Sequence, residues 1–496
     1  MTKRSWLALV SLFGVLSLVG AACASSSGEG SGGGGGGEDV CAADQFGCVQ
    51  VAAGAPIQLG TLEAISGDVA SLGQDQVNGV ILAVDYLDGA FDATPGQILG
   101  HDIELQGEDD LCSAEGGQAG ATALAANDQI VGVIGTSCSS AALGVADTIL
   151  GDKGILLISG SNTNPGLTSA EKHQPFYFRT AHNDKIQGAI VADFALQNLG
   201  AMTAATINDE SPYADGLAAA FRDNFEAGGG TITAIEAINS ADTDFGPLLT
   251  SIAEGNPDVL YFPDFNPACA LIAQQAKDIL PDTALIGSDG CLASDFLTTA
   301  GAAADGVYAS SPDLSAFQSN SFYSGEFIPA YQAQFGSAPT SVFHAHAFDA
   351  ANILFAAIQA VAVENSDGSL SIPRTALRDA LAATSGYQGI TGTITCTPLG
   401  DCATDVTIGV CTARRGGSAP ADPPLRRFRV GDSLARWGWA RLRHHVGSRT
   451  ASIRERPLAT DHPRRPHGGA RARRRRRRVP HPHPAGGRAL LRGRVG

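Results

Sequence analysis

Apolar and polar residues alternate along residues 56–410 in a pattern that predicts strands and helices in regular succession. The clearest unit is residues 130–165, where two short apolar runs, 130–134 and 155–158, flank a segment with apolar residues at helical spacing. Each predicted strand ends in a small polar cluster. Because the carboxyl ends of parallel strands share one edge of a sheet, where ligands usually bind, this unit predicts a ligand-binding edge.

The same alternation occurs in two series of similar size. The predicted strands are 57–62, 103–106, 130–134 and 155–158 in the first series, and 202–207, 231–236, 259–262, 284–287 and 307–310 in the second. Helical segments separate them, and such alternation is typical of parallel sheets covered by helices. The predicted fold class is therefore α/β, with two doubly wound, Rossmann-like lobes and a cleft between them.

The amino terminus predicts export. Lys3 and Arg4 precede an apolar stretch, 6–19, that is short for a membrane span, and small residues lead to Cys23. Residues 1–22 resemble a bacterial lipoprotein signal peptide, which implies lipid modification of Cys23 and anchoring to the outer face of the cell membrane. An ordinary signal peptide is the alternative. Residues 23–40 are rich in Gly and Ser and predict a flexible tether.

Charge divides the chain at residue 411. The net charge of the whole chain is −17, but residues 411–496 contain 23 Arg and 4 acidic residues, whereas residues 1–410 contain 46 acidic and 10 basic residues. This tail has no hydrophobic period, which favours an origin in a misjoined reading frame over a site for anionic membranes or nucleic acid. We expect no nucleic-acid partner.

Ten cysteines in an exported chain indicate disulfides. Apart from Cys23 and Cys411, eight remain, and the arrangement we favour pairs Cys41 with Cys48, Cys112 with Cys138, Cys269 with Cys291, and Cys396 with Cys402. Connectivity does not follow from sequence, so these pairs are hypotheses. Motifs for zinc or for ATP hydrolysis are not present in the sequence. We expect no metal, no cofactor and no catalytic residues.

Polar residues after the predicted strands indicate a site for a ligand with charged ends. Ser139, with Thr163 after the next strand, offers hydroxyl and backbone N–H groups to an anion. In the second lobe, Asp289 follows a strand and can neutralise an ammonium, while Tyr213 and Phe265 can cover the ligand. The alternatives are ordinary: a helix-capping role for Ser139 and Asp289, and core packing for Phe265.

Eight stretches resemble the type I periplasmic binding proteins of the branched-chain amino-acid transport family. They are GTLEAISGDVASLGQ (60–74), GHDIELQGEDDLC (100–112), VGVIGTSCSSAALGVAD (131–147), GILLISGSNTNPGLT (154–168), FYFRT (176–180), INDESPYADGL (207–217), DVLYFPDFNPA (258–268) and IGSDGC (286–291). The resemblance covers about residues 56–410. It implies hinge crossings near Ala181, Pro312 and Gln388, which give lobe 1 residues 56–180 and 312–388, and lobe 2 residues 181–311 and 389–410.

The resemblance also implies roles for single residues. Ser139 and Thr163 match the groups that bind a carboxylate, and Ser161 matches a position whose carbonyl helps to hold an ammonium. Asp289 matches the acidic partner of that ammonium, and Tyr213 and Phe265 match aromatic residues of the second lobe. Leu72 lies where the family lines the side-chain pocket, and Cys112 and Cys138 match the family disulfide.

Two departures bear on the ligand. Asp289 is one methylene shorter than the family's usual Glu, and Phe265 lacks the hydroxyl of the usual Tyr. We therefore expect a solute-binding lipoprotein that delivers a branched-chain-like amino acid, or a related solute such as an amide or urea, to an ABC permease.

The alternatives are a ligand-sensing receptor module and an enzyme. An enzyme would need a base at the cleft, and we expect the histidines of the body to lie away from the site, namely His101, His173, His182, His344 and His346.

Overall fold

The computed structural model describes residues 36–403, 407–413 and 437–440. The predicted signal peptide, Cys23, most of the tether and most of the basic tail lie outside the described residues. The chain divides into two units, Met1–Arg443 and His444–Gly496, and the second lies wholly outside that part. The following account concerns the first unit.

The first lobe is built on a six-stranded sheet. Its helices are α1 (Gly36–Ala43), α2 (Ala70–Asp85), α3 (Ala114–Ala125) and α4 (Ser139–Val145). The strands of this region are β1 (Cys48–Val51), β2 (Ile57–Glu63), β3 (Gln97–Ile98), β4 (His101–Asp109), β5 (Ile130–Gly135), β6 (Leu156–Ser159) and β7 (Tyr177–Arg179). The order is β3-β4-β2-β5-β6-β7, parallel except for β3.

The second lobe repeats the architecture. Its helices are α5 (Asp184–Asp193), α6 (Pro212–Ala227), α7 (Gly246–Glu254), α8 (Ala268–Ile279) and α9 (Ser294–Ala300). Its strands here are β8 (Thr203–Asn208), β9 (Thr231–Ala237), β10 (Val259–Tyr261), β11 (Ala284–Gly287) and β12 (Tyr308–Pro312). These five strands are parallel, in the order β12-β11-β10-β8-β9. Strand β9 lies on one side of β8 and the later strands lie on the other, as a doubly wound sheet requires.

The remaining elements complete both lobes. They are α10 (Leu314–Gln318), α11 (Ile328–Phe335), α12 (His344–Val361), β13 (Val363–Glu364), β14 (Leu370–Pro373), α13 (Arg374–Ala382), β15 (Tyr387–Gly389), β16 (Gly392–Ile394), β17 (Ile408–Ala413) and β18 (Trp437–Ala440). The helix α12 packs on α2, and β14 pairs with β1, so both belong to the first lobe. The strand β17 adds antiparallel to β12 of the second lobe, and β18 pairs with β17.

Local chemistry explains why α6 begins and ends where the sequence predicts. The Ser211 side chain accepts a hydrogen bond from the Ala214 N–H at 3.2 Å, and Pro212 occupies the first helical position. Leu217, Phe221 and Phe225 recur on one face and are fully buried. Three glycines beginning at Gly228 end the helix.

Three boundaries differ from those predicted. The helix α1 begins at Gly36, inside the predicted tether, and the Asp44 carboxylate just after it accepts hydrogen bonds from the Thr375 N–H and hydroxyl. The strand β17 continues three residues past Val410 and buries Cys411. Finally, Gln388 lies in the β15–β16 hairpin, which the Asp349 carboxylate of α12 binds to the first lobe. The chain remains on that lobe through Cys402, whose N–H donates to the Arg179 carbonyl.

The eight cysteines discussed above form the four favoured pairs, Cys41–Cys48, Cys112–Cys138, Cys269–Cys291 and Cys396–Cys402. Cys411 is a buried thiol on β17, with its Sγ 3.4 Å from the Ala309 carbonyl oxygen.

Arg179, at the end of β7, is a fully buried cation that organises the loop after β6. Its Nε lies 2.5 Å from Asp401 Oδ1, and its Nη1 donates to the carbonyls of Asn162 and Asn164 at 3.2 and 2.8 Å. Its Nη2 donates to the Thr168 hydroxyl. Because a buried charge needs a full set of partners, this network fixes the loop that contains Thr163.

A second buried network supports the loop between β5 and α4. The Asp110 carboxylate accepts the N–H groups of Cys112 and Ser137, each at 2.7 Å, while the Ser137 hydroxyl donates to Glu63 Oε2 at 2.5 Å. Burial raises the pKa of Asp110 to about 7, against the smaller opposing effect of the N–H donors, and raises the pKa of Glu63 well above its usual range. Two buried acids, Asp110 and Glu63, therefore hold the backbone just before Ser139 through hydrogen bonds with Ser137.

Replacing Arg179 by Met should lower the free energy of unfolding by about 3–5 kcal/mol, because Asp401 and two carbonyls lose their partner. Urea denaturation followed by circular dichroism measures the change. The control is Lys153→Met, since Lys153 lies 4.0 Å from Asp128 in a largely exposed pair, and its loss should cost less than about 1 kcal/mol. Equal losses in the two variants would contradict the structural role given to Arg179.

Replacing Asp110 by Asn should remove a pH dependence of stability. The folded pKa of about 7 lies above the ordinary 3.8, so the folded state holds this proton more tightly than the unfolded state. Wild-type stability should therefore fall as pH rises from about 4 to about 7, by at most about 1.4 kcal/mol per pH unit from this group. Denaturation of both proteins at several pH values tests this; parallel stability curves would refute it.

Candidate functional site

The first half of the site lies at the carboxyl edge of the first-lobe sheet. Ser139 begins α4 after β5, and its Oγ accepts the Asn164 N–H at 3.3 Å. Ser161 and Thr163 lie in the loop after β6, where the Ser161 hydroxyl donates to the Ser137 carbonyl at 2.7 Å. The Thr163 hydroxyl is buried and lies beside the Asp184 carboxylate. The structure therefore brings these three residues together on two adjacent loops, as the sequence predicts.

The second half lies at the corresponding edge of the other sheet. Tyr213 is in the first turn of α6, and its Oη lies 2.7 Å from Ser288 Oγ and 3.1 Å from Asp289 Oδ1. The Phe265 ring packs against Tyr213 with ring centroids 5.0 Å apart. Burial raises the pKa of Asp289. Tyr213, Phe265 and Asp289 thus form one cluster, with a buried carboxylate beside two aromatic rings.

Contacts between the lobes bring the two halves toward each other. Asn164 Nδ2 donates to the Pro212 carbonyl at 2.5 Å, which joins the Thr163 loop to the start of the Tyr213 helix. The Ser294 N–H of α9 donates to the Thr340 carbonyl at 3.1 Å. The Thr340 hydroxyl in turn donates to the backbone carbonyl of Ser71 on α2. Both lobes therefore contribute buried polar groups to the same interlobe region.

Leu72 lies on α2 and is buried in the core of the first lobe. Its place in a side-chain pocket remains a prediction. A separate small cavity, partly open to solvent, is lined by residues that include Thr180, Phe317, His346 and Thr391. None of the predicted ligand-binding residues lines that cavity, so we place the candidate site at the sheet edges.

The sequence analysis missed the residues that follow the first hinge crossing. Gln187 of α5 donates through Nε2 to Asp289 Oδ1 at 2.6 Å and to Ser310 Oγ at 2.9 Å. Its Oε1 accepts from His182 Nε2. The expectation that the body's histidines lie away from the site is therefore wrong for His182, since two hydrogen bonds connect it to Asp289.

Asp184, the first residue of α5, is the other residue that sequence reasoning missed. Its side chain is completely buried, and its carboxylate oxygens form no hydrogen bond of ordinary geometry, although the Thr163 hydroxyl is close enough to lower its pKa. Burial raises its pKa well above the usual range, and the nearby Asp289 carboxylate raises it further. The signal was its position just after FYFRT, where the chain passes from one lobe to the other.

In the part of the chain that the structure describes, no group of three or more His, Cys, Asp or Glu is arranged to hold a metal ion. In the same part, no helix is both long and apolar enough to cross a membrane. The chemistry available at the sheet edges is thus hydrogen bonding by hydroxyl groups and charge pairing by carboxylates.

Comparison with known proteins identifies the family. A family model described as periplasmic binding protein matches residues 56–425. The chain is 32% identical over 253 residues to a Leu/Ile/Val-binding protein of Rhizobium johnstonii, covering 51% of this chain and 66% of that protein. It is 30% identical over 256 residues to the leucine-specific-binding protein of Salmonella typhimurium, covering 52% of this chain and 67% of that protein. These matches span about two thirds of each relative's length.

Structural similarity agrees with this. The substrate binding protein of the branched-chain amino acid transporter of Streptococcus pneumoniae, solved in complex with isoleucine, superposes with a TM-score of 0.62 at 26% identity, covering 72% of this chain and 96% of that one. Members of the matching family bind solutes and are not enzymes. The chain belongs to the type I periplasmic binding proteins of the branched-chain amino-acid family.

Proposed function

We propose that this protein captures an amino acid in its interlobe cleft and delivers it to an ABC permease, while a lipid on Cys23 holds it at the outer face of the membrane. The observation that carries the proposal is the meeting of two unlike half-sites. One offers hydroxyl groups on loops after parallel strands, and the other offers a buried carboxylate beside aromatic rings. A zwitterion has the complementary charges.

The half-sites suit a ligand that binds by closure. Ser139 and Thr163 lie on the first lobe, whereas Tyr213 and Asp289 lie on the second, so an open protein can hold only one end of the ligand. When the lobes close around it, both ends leave water and need fixed partners. A ligand that lacks one charge leaves one half-site unpaired, which costs affinity.

The proposed ligand class rests on the relatives and on the cluster around Asp289. The relatives named above bind leucine, isoleucine or valine by their names, and residues 60–291 contain all eight stretches that resemble the family. Asp289 is buried against Tyr213 and Gln187, so its carboxylate is held in place rather than exposed. We therefore propose an aliphatic amino acid first, and a small amide as the alternative.

Titration calorimetry of the purified protein against the twenty amino acids and a set of small amides tests the proposal. We expect an aliphatic L-amino acid to bind, and Ser139→Ala to weaken that binding by about tenfold through loss of a hydrogen bond to a charged group. The matched control is Ser140→Ala, because the Ser140 hydroxyl instead donates to the Cys112 carbonyl at 3.0 Å. Its affinity should stay close to wild type. If no amino acid bound to the wild-type protein, the proposal would fail.

A further inference from the structure

We infer that Thr340 is a positioning residue for ligand retention: held in place by Asp75, its carbonyl binds the Ser294 N–H of the second lobe and prolongs the closed state. We call these three residues the Thr340 latch. The inference rests on the proposed function and deepens it, because it assigns the lifetime of the captured ligand to residues outside both half-sites.

Thr340, in the segment between α11 and α12, uses all of its polar groups. Its N–H donates to Asp75 Oδ1 at 3.0 Å and its hydroxyl donates to the Ser71 carbonyl at 2.9 Å, so α2 of the first lobe holds it twice. Its carbonyl accepts the Ser294 N–H of α9 at 3.1 Å. A residue fixed on one lobe therefore offers its remaining group to the other lobe.

Asp75 gives this support its strength. Its side chain is completely buried, and besides Thr340 it binds the Tyr331 hydroxyl at 2.9 Å and the N–H and ring Nδ1 of His344 at 3.2 and 2.8 Å. The His344 Nε2 in turn lies 2.9 Å from the Tyr323 hydroxyl. Because a fully satisfied buried polar network permits little displacement, the Thr340 carbonyl keeps a fixed place on the first lobe.

The second-lobe partner belongs to the segment that begins with Asp289. This segment runs from the proposed ligand-binding carboxylate to Ser294 at the start of α9. The Cys269–Cys291 disulfide binds the middle of the segment to α8. A ligand that draws Asp289 toward the first lobe therefore brings the Ser294 N–H toward Thr340 in the same movement.

The hydrogen bond of the latch acts on release more than on capture. The ligand leaves only after the lobes open, so a bond that exists only between closed lobes slows opening and lowers koff. In the open protein, water binds both groups. The net gain on closure is therefore that of one ordinary hydrogen bond, which corresponds to about three- to tenfold in the closure equilibrium.

Ser294→Pro removes the donor of the latch with little other change. Ser294 is the first residue of α9, a position that accepts proline, and Ala293 before it already has the extended backbone that a residue before proline prefers. The matched control is Ser294→Ala, which loses the side chain but keeps the N–H. The support of the carbonyl is tested by Thr340→Val, which loses the hydroxyl bond to Ser71, and by Thr340→Ser, which keeps it.

Each full-chain protein is loaded with isotopically labelled L-leucine, L-isoleucine or L-valine and chased with unlabelled amino acid to give koff, while calorimetry gives Kd. We expect Ser294→Pro to raise koff by about three- to tenfold and to leave the association rate constant, koff/Kd, within about twofold of wild type. Ser294→Ala and Thr340→Ser should match wild type, and Thr340→Val should raise koff. Damage to a half-site would instead change affinity in the controls as well. Circular dichroism establishes that each variant is folded.

Small-angle X-ray scattering of the ligand-free proteins supplies a second readout that needs no ligand. The latch favours closed lobes in the empty protein too, so Ser294→Pro should have a larger radius of gyration than Ser294→Ala. If Ser294→Pro does not fold, the comparison of Thr340→Val with Thr340→Ser takes its place in both measurements.

Two results would count against the latch, and they leave the proposed function in different positions. If wild type binds one of the three amino acids and Ser294→Pro releases it no faster than Ser294→Ala does, the inference is overturned and the proposed function stands. If wild type binds no amino acid, the proposed function fails and the scattering decides: equal radii of gyration overturn the latch, and a larger radius in Ser294→Pro supports it.

Discussion

Buried polar groups need hydrogen-bond partners, and this constraint shapes both the core and the cleft of the protein. Parallel strands bring polar loops to one edge of each sheet, and the approach of two lobes then removes those loops from water. Where the chain supplies partners, buried hydrogen bonds hold the loops in place, as at Arg179 and at Asp110. Other buried carboxylates, among them Asp184 and Asp264, have no hydrogen bond of ordinary geometry.

The sequence predicted most of the fold because the hydrophobic pattern determined most of it. Apolar runs such as 284–287 coincide with β11, and the helical spacing after Tyr213 coincides with α6. Short elements without a strong period were missed, among them the β15–β16 hairpin, which donates hydrogen bonds to the distant Asp349 carboxylate. Composition was also a poor guide to boundaries, since Cys411 belongs to a buried strand although it begins the basic region.

The candidate site was predicted unevenly for a physical reason. Ser139, Thr163, Tyr213 and Asp289 follow strands, and the topology of a parallel sheet places such residues at one edge. Asp184, His182 and Gln187 follow a hinge crossing instead, and no periodicity places a crossing segment. Their roles depend on which groups from the other lobe they meet, such as Asp289 and Ser310. That information exists only in the folded protein.

The position of α5 connects binding with closure. Its first residue, Asp184, donates its N–H to Thr163 of the first lobe, while its second turn, through Gln187, binds Asp289 and Ser310 of the second. The start of one helix therefore contacts both half-sites. Because a buried carboxylate is costly until it is paired, the proposed site favours a ligand that brings a positive charge between the lobes. In the proposed function, closure and recognition of the ligand are then one event, since the start of α5 contacts both half-sites.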